Sequence, residues 1–150
     1  GKYSIFEAGH RMPTISYWPS VIKPGVNNAL WSQVDIMASL AALTQTKIPE
    51  GQAKDSENML SVVLGREEEG REYLLTEAFT FSLRWNNYKY IAPQTNNFDW
   101  IKERKGIEGG ISDQPQLYNL IDDPGEQTNI AETHPDVLMK LEKELKLILD

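Results

Sequence analysis

Glu72-Tyr73-Leu74-Leu75-Thr76-Glu77-Ala78-Phe79-Thr80-Phe81-Ser82-Leu83-Arg84-Trp85-Asn86-Asn87-Tyr88-Lys89-Tyr90-Ile91-Ala92-Pro93 is the stretch that decides the architecture of the second half of the chain. It is rich in Tyr, Leu, Phe, Thr and Ile, which pack well on a pleated, half-buried surface. Asn86-Asn87 divides it, and both residues tolerate the positive φ of a two-residue hairpin turn. The pattern predicts antiparallel strands either side of that turn, with Phe79-Thr80 bending or interrupting the first. Gln116 to Leu120 supplies a further strand. Pro135 stands where a helix accepts proline in its first turn, and Val137, Leu138, Leu141, Leu145 and Ile148 then recur on one face. Asp136 near its start and Lys143 and Lys146 further along complement the helix dipole. This half reads as a small antiparallel sheet covered on one face by a C-terminal helix.

Outward from that core, residues 66–72 are almost entirely charged or Gly and mark a boundary. The division is 1–65 and 66–150. Before it, Met12 to Trp18 is mostly apolar or β-branched and ends at Pro19, which predicts a short buried strand. Pro24-Gly25 and Asn27-Asn28 mark a turn. Ser32 and Asp35 have the spacing of a reciprocal cap. Trp31, Val34, Met37, Ala38, Ala41 and Ala42 follow at helical spacing, and Ile36, Leu40 and Leu43 widen the apolar surface. A helix apolar on most sides expects burial between layers. The chain offers one strand before it, so this helix is expected to be left exposed or to drive self-association. A second helix is predicted from Asp55-Ser56 through Leu64, stopped by Gly65. Residues 94–115 read as a long polar loop carrying Trp100, Lys102, Arg104 and Lys105. The fold class is α/β, or α+β for the chain taken alone: a strand-plus-helix piece, then the sheet and its helix.

One hundred and fifty residues with 40% hydrophobic and 25% charged side chains are globular rather than disordered. The formal charge of −7 argues against nucleic-acid or anionic-membrane binding, which need a broad basic surface. A local basic pocket for a small anion remains compatible with it. No apolar run is long enough to span a membrane. With no cysteine there are no disulfides or thiolate metal sites, and no His/Asp cluster has metal-ligand spacing.

The chemistry is concentrated at Gly1-Lys2-Tyr3-Ser4-Ile5-Phe6-Glu7-Ala8-Gly9-His10-Arg11-Met12-Pro13. A cation, a carboxylate, an imidazole and a guanidinium around an Ala-Gly step resemble an anion-handling loop at a strand entrance. Lys2, Glu7-Ala8-Gly9, Arg11 and Pro13, then Trp18-Pro19 and Lys23-Pro24-Gly25, resemble the late catalytic-domain signature of the sulfatase family. Ala8 and Ser20 depart from it, each standing where that pattern has Gly. The similarity continues through Ser32-Gln33-Val34-Asp35, Asp55-Ser56, Leu83-Arg84, Tyr88-Lys89-Tyr90-Ile91, Leu117-Tyr118-Asn119-Leu120 and Asp123-Pro124-Gly125-Glu126. About residues 94–114 carry none.

The resemblance implies an alkaline-phosphatase-like fold, with 1–65 ending the catalytic domain and 66–150 forming the C-terminal subdomain. It implies an enzyme that cleaves sulfate esters through a formylglycine nucleophile near calcium, in a periplasmic, extracellular or lysosome-like compartment. The Cys/Ser-x-Pro-x-Arg motif that yields formylglycine is absent from these residues, so the chain alone is expected to be inactive and to hold no cofactor or metal itself. The substrate implied is a sulfated small molecule or sulfated sugar. Lys2 is the catalytic candidate: an ammonium in a water-poor pocket stabilises sulfate oxygens and a departing alkoxide. The plainer alternative is an exposed residue at a frayed end. Glu7, Gly9 and Arg11 read as loop architecture, with Gly9 in a backbone conformation closed to other residues and Arg11 paired to Glu7 or a nearby carboxylate. His10, Arg84, Trp100 and Arg104 are weaker substrate-binding candidates, since aromatic faces stack on sugars and Arg forks suit sulfate. A core Trp and a solvated charged loop are the plainer and preferred account of the last three. A phosphoester or phosphonate hydrolase of the same superfamily and a non-catalytic binding module are the competing functions.

Overall fold

In the computed structural model, residues 1–96 and 98–150 are described. The elements are α1 (Glu7–His10), a 3-10 turn (Gln33–Asp35), α2 (Ile36–Thr44), α3 (Leu60–Val63), β1 (Tyr73–Glu77), β2 (Phe81–Trp85), β3 (Tyr88–Ile91), α4 (Trp100–Lys105), β4 (Gln116–Asn119) and α5 (Pro135–Leu149). They form two compact units, Gly1–Met12 with Leu75–Asp150, and Pro13–Leu74. The first twelve residues thus pack with the distant sheet, a partition that differs from the 1–65 and 66–150 division of the sequence.

In the first unit the four strands lie in the order β1-β2-β3-β4. The Asn86-Asn87 hairpin forms as expected, with Asn86 at a φ of 49°. Leu83 pairs with Tyr90 and Tyr90 with Leu117, while Arg84 pairs with Lys89 and Lys89 with Tyr118, all antiparallel. Because side chains alternate across a strand, these two rows face opposite ways. The Leu83–Tyr90–Leu117 row is buried with Leu141 and Leu145 of α5, which lies against β2 and β3. The other face carries Arg84, Lys89, Ile91 and Tyr118 and meets Gly1–Met12: Ile5, Ile91 and Tyr118 form a core joined by Phe6, Ala78 and Leu120. The sheet is therefore covered on both faces, not one. That second cover buries Lys89.

Residues 94–115 are not loop throughout, because Trp100–Lys105 turns into α4 and ends at Gly106, whose φ of 65° closes the helix; Asn97 lies outside the described residues. Ile101 on that helix is fully buried, which supplies the apolar anchor that a purely polar reading missed.

The second unit holds α2 and α3. Asp35 Oδ2 accepts the Ser32 N–H at 2.9 Å, the expected return half of the cap. Asp35 is fully buried, and Arg71 grips it with Nε at 2.9 Å and Nη2 at 2.5 Å, while the Glu57 N–H reaches its other oxygen at 2.9 Å. The second helix is shorter than expected and begins at Leu60 rather than Asp55-Ser56. Ser56 Oγ is engaged elsewhere, accepting the Ala38 N–H of α2 at 2.9 Å, so it does not cap; Gly65 does stop the segment, with a φ of 66°. Met12 to Trp18 forms no strand: Met12, Ile15, Tyr17 and Trp18 are exposed and irregular. An apolar run becomes a strand only where another strand satisfies its backbone, and no described strand pairs with this one. Ile36, Met37, Leu40 and Leu43 are exposed along α2, and Val34 on the 3-10 turn before it, as the all-round apolarity of this stretch predicts.

Candidate functional site

The Gly1–Met12 segment is held against the sheet by backbone and charge together. Ile5 is fully buried, and its N–H donates to Gly109 O at 2.9 Å. α1 is a single turn, so its conformation depends on what surrounds it. Gly9 sits inside this turn with Ser4 folded over it: a Cβ there would lie 2.0 Å from the Ser4 carbonyl oxygen. Close approach therefore requires the glycine. Its φ is not in the left-handed region, so the conformational reason expected from the sequence is replaced by a steric one.

Lys89 is the centre of the anchor. It is 1% exposed, and its Nζ donates to Ile5 O at 2.7 Å. It lies 2.9 Å from Glu126 Oε1, an ion pair whose approach angle is outside that of a hydrogen bond, and 3.3 Å from Glu7 Oε1. Glu126 Oε2 accepts the Glu7 N–H at 2.5 Å, and Arg84 Nη1 reaches Glu7 Oε2 at 3.2 Å. Two carboxylates and two cations offset one another, so the buried cluster carries no uncompensated charge. Buried ions persist only when paired in this manner. Arg84 is thereby committed to the loop. Arg11 does not pair with Glu7 as expected: its side chain is exposed, and Lys89 and Arg84 take the carboxylate. Burial pushes the Tyr118 phenol up to about 12, with Glu126 adding to the shift, so Tyr118 stays protonated and donates to Gln116 Oε1 at 2.8 Å.

This anchored turn shapes a cleft of about 450 Å³ lined by Lys2, Tyr3, Ser4, Gly9, His10, Glu77, Ala78 and Phe79. Lys2 and His10, separate candidates in the sequence, share it. Lys2 is exposed, and its Nζ stands 5.3 Å from the Tyr3 ring centroid. The residues after it are buried and bonded, so Lys2 does not stand at a frayed end. His10 has its pKa lowered, first by burial and next by the Lys89 charge, against the opposing pull of Glu7 and a hydrogen bond to the Ser4 backbone. A neutral imidazole results, and its buried Nε2 has no hydrogen-bond partner among the described residues.

Sequence reasoning missed Tyr3 and Phe79 as site residues. Both hold left-handed backbone, with φ of 82° and 64°, a conformation costing a bulky residue about 1–3 kcal/mol. The bend signal at Phe79-Thr80 was the one available clue. Their rings stack at 6.4 Å between centroids, and Trp100 meets both edge-on at 5.5 and 6.0 Å. Trp100 thus backs the cleft rather than lining it. Arg104 is exposed on α4 and is not among the lining residues of the cleft. Trp85, beside the hairpin turn, lies under Lys140 Nζ at 3.7 Å. A second cleft, about 700 Å³, runs past Gln94, Asp113 and Gln127 and takes in Lys102 of the basic segment and Glu126 of the ion cluster.

No family model matches the chain. An N-acetylgalactosamine-6-O-sulfatase of Bacteroides thetaiotaomicron is 40% identical over 150 residues, covering 99% of this chain and 29% of that protein. Human arylsulfatase A is 29% identical over 164 residues, covering 99% of this chain and 32% of its own length. A solved 6S-sulfatase from the glycosaminoglycan-metabolising locus of Bacteroides thetaiotaomicron matches with a TM-score of 0.92 at 40% identity, over 99% of this chain and 31% of that one. The chain is homologous to sulfatases over 99% of its own length. It corresponds to the C-terminal portion of those larger enzymes and spans about a third of their length or less. The mixed α/β fold with a four-stranded antiparallel sheet is that of the sulfatase portion it matches.

The calcium implied by the resemblance does not fit this sulfatase portion. Among the described residues no group of three or more His, Cys, Asp or Glu side chains is placed to hold a metal ion. Glu77 is the carboxylate that lines the cleft, and Glu7 and Glu126 are already neutralised by Lys89 and Arg84. Among the described residues no helix is long and apolar enough to cross a membrane.

Proposed function

We propose that this chain contributes the cationic wall of a sulfate-ester site in a larger hydrolase acting on a sulfated sugar, with Lys2 binding the sulfate. What supports the reading is the placement of Lys2 in a cleft that Gly9 and His10 of α1 also line, on a turn that a buried ion cluster holds through Glu7. Ester cleavage concentrates negative charge on the sulfate oxygens and the departing alkoxide. A fixed ammonium stabilises that charge most when it needs no reorganisation as the charge develops. Among the described lining residues Lys2 alone offers a full positive charge, opposite in sign to the Glu77 carboxylate, since burial disfavours a charged His10. Formylglycine and calcium belong, in this reading, to the part of the whole protein outside the matched portion, and the 150 residues alone turn over no ester. The 6-O-sulfated amino sugar named for the Bacteroides relative is the first substrate to try.

The test uses the full-length protein. Lys2→Ala is expected to lower kcat/KM for sulfate release from 6-O-sulfated N-acetylgalactosamine by about 100-fold or more, with Lys2→Arg less affected. Aryl phosphate run in parallel separates sulfate from phosphate specificity. An unchanged rate in Lys2→Ala overturns the assignment.

A further inference from the structure

We propose that Tyr3 and Phe79 form a ring-binding wall beside Lys2, on which the sugar ring that carries the sulfate stacks. The proposal rests on the reading of Lys2 as the sulfate-holding cation and adds to it the residues that recognise the rest of the substrate.

Four observations converge on this cleft. Both aromatic residues hold left-handed backbone, at φ of 82° and 64°. Glycine adopts that conformation freely, and bulky side chains are rare there. Neighbouring structure must impose it, and such imposed strain concentrates at ligand-contacting positions. Next, both rings line the cleft, stacked on one another with centroids 6.4 Å apart and planes inclined by 28°. Trp100 braces both edge-on, and Phe98 packs on Phe79 at 4.8 Å, which holds the wall rigid. Third, the wall is flanked by positive charge in an acidic chain: Lys2 Nζ and Lys105 Nζ lie 5.3 and 5.9 Å from the Tyr3 centroid. An anionic group held by Lys2 therefore places whatever it is attached to against the Tyr3 face. Last, His10 Nε2 lines the same cleft, neutral and without a partner among the described residues.

The ligand chemistry follows from this set. An aromatic face matches the C–H face of a six-membered sugar ring, a rigid body of comparable size. A buried imidazole nitrogen without a partner suits a hydroxyl on that ring, which can donate or accept as the tautomer requires. A cation takes the ester group. A sulfated pyranoside satisfies all three, whereas an acyclic sulfate ester satisfies only the cation.

The experiment compares Phe79→Gly and Tyr3→Gly in the full-length protein. Glycine keeps the left-handed backbone without strain, which offsets part of the packing lost with each ring. We expect KM for 6-O-sulfated N-acetylgalactosamine to rise about tenfold in each. Inhibition by inorganic sulfate and turnover of an acyclic alkyl sulfate should stay within about twofold, and Phe79→Tyr should retain sugar binding. Unchanged sugar KM in both glycine variants overturns the wall. So does an equal loss on sugar and acyclic esters, which would make the rings structural. Lys2→Ala separates the two ideas: undiminished inhibition by inorganic sulfate sinks the Lys2 reading, while the ratio of sugar to acyclic turnover still decides the wall.

Discussion

Replacing Lys89 by Met tests whether the buried ion cluster holds the Glu7 turn in place. Met fills most of the same volume without charge, so little of the effect comes from a cavity. It leaves the Glu126 and Glu7 carboxylates without their shared cation and strips Ile5 O of its donor. Removing one partner of a buried pair costs about 3–5 kcal/mol. The lower end applies here, because Glu7 retains Arg84 at 3.2 Å and Glu126 retains the Glu7 N–H at 2.5 Å. The expected loss is thus about 3 kcal/mol, or about 6–12 °C in Tm for a chain of this length. Urea unfolding followed by Trp fluorescence reads it, since Trp85 and Trp100 lie in the same unit. The double variant Lys89→Met/Glu126→Gln provides the sharper reading. Glutamine still accepts the Glu7 N–H but carries no charge, so the double variant should be more stable than Lys89→Met alone. A loss below about 1 kcal/mol for Lys89→Met, or a double variant no better than the single, refutes the argument that charge neutralisation holds the turn.

Gly9→Ala should disrupt the same turn by a different route, because its Cβ would meet the Ser4 carbonyl at 2.0 Å and backbone would have to move; urea unfolding should show a loss of at least about 2 kcal/mol, and a neutral result would mean that Ser4 yields. Asp35 predicts an acid limb for the second unit. Burial alone would raise its carboxyl, but the Arg71 hydrogen bonds and the Glu57 and Ser32 amides outweigh it and hold the pKa below 3.8. A depressed folded pKa contributes stability that is present above the unfolded value and is lost as pH falls through the folded one. Unfolding midpoints measured from about pH 5 down to about pH 2 should therefore fall in the native protein, and Asp35→Asn should be less stable at neutral pH and flatter across that window.

Much of the second half of the fold is legible in the chain because its signals are local. The Asn86-Asn87 turn, the break at Phe79-Thr80, Pro135 at the start of α5 and the Leu141–Leu145 spacing each act over a few residues, and each element appears where those residues place it. Local signals also explain the misreadings. Met12–Trp18 has strand composition, yet strand formation needs a partner that composition does not report. Asp55-Ser56 looks like a cap, yet the Ser56 hydroxyl is taken by Ala38. Lys89 in an apolar strand looks like a solvated residue until the first twelve residues are laid over it.

The family resemblance, the hairpin, the C-terminal helix and the candidacy of Lys2 and His10 were all determined by the linear order of residues. Tertiary structure alone decided that the second sheet face is covered, that Glu7 meets Lys89 and Arg84 rather than Arg11, and that Tyr3 and Phe79 share a wall. The reason is reach: hydrophobic period and turn chemistry operate among neighbours, whereas Glu7 and Glu126 bond across 119 positions and Lys89 reaches Ile5 across 84. Pairings at such separations depend on how the layers stack, and no window of sequence contains both partners.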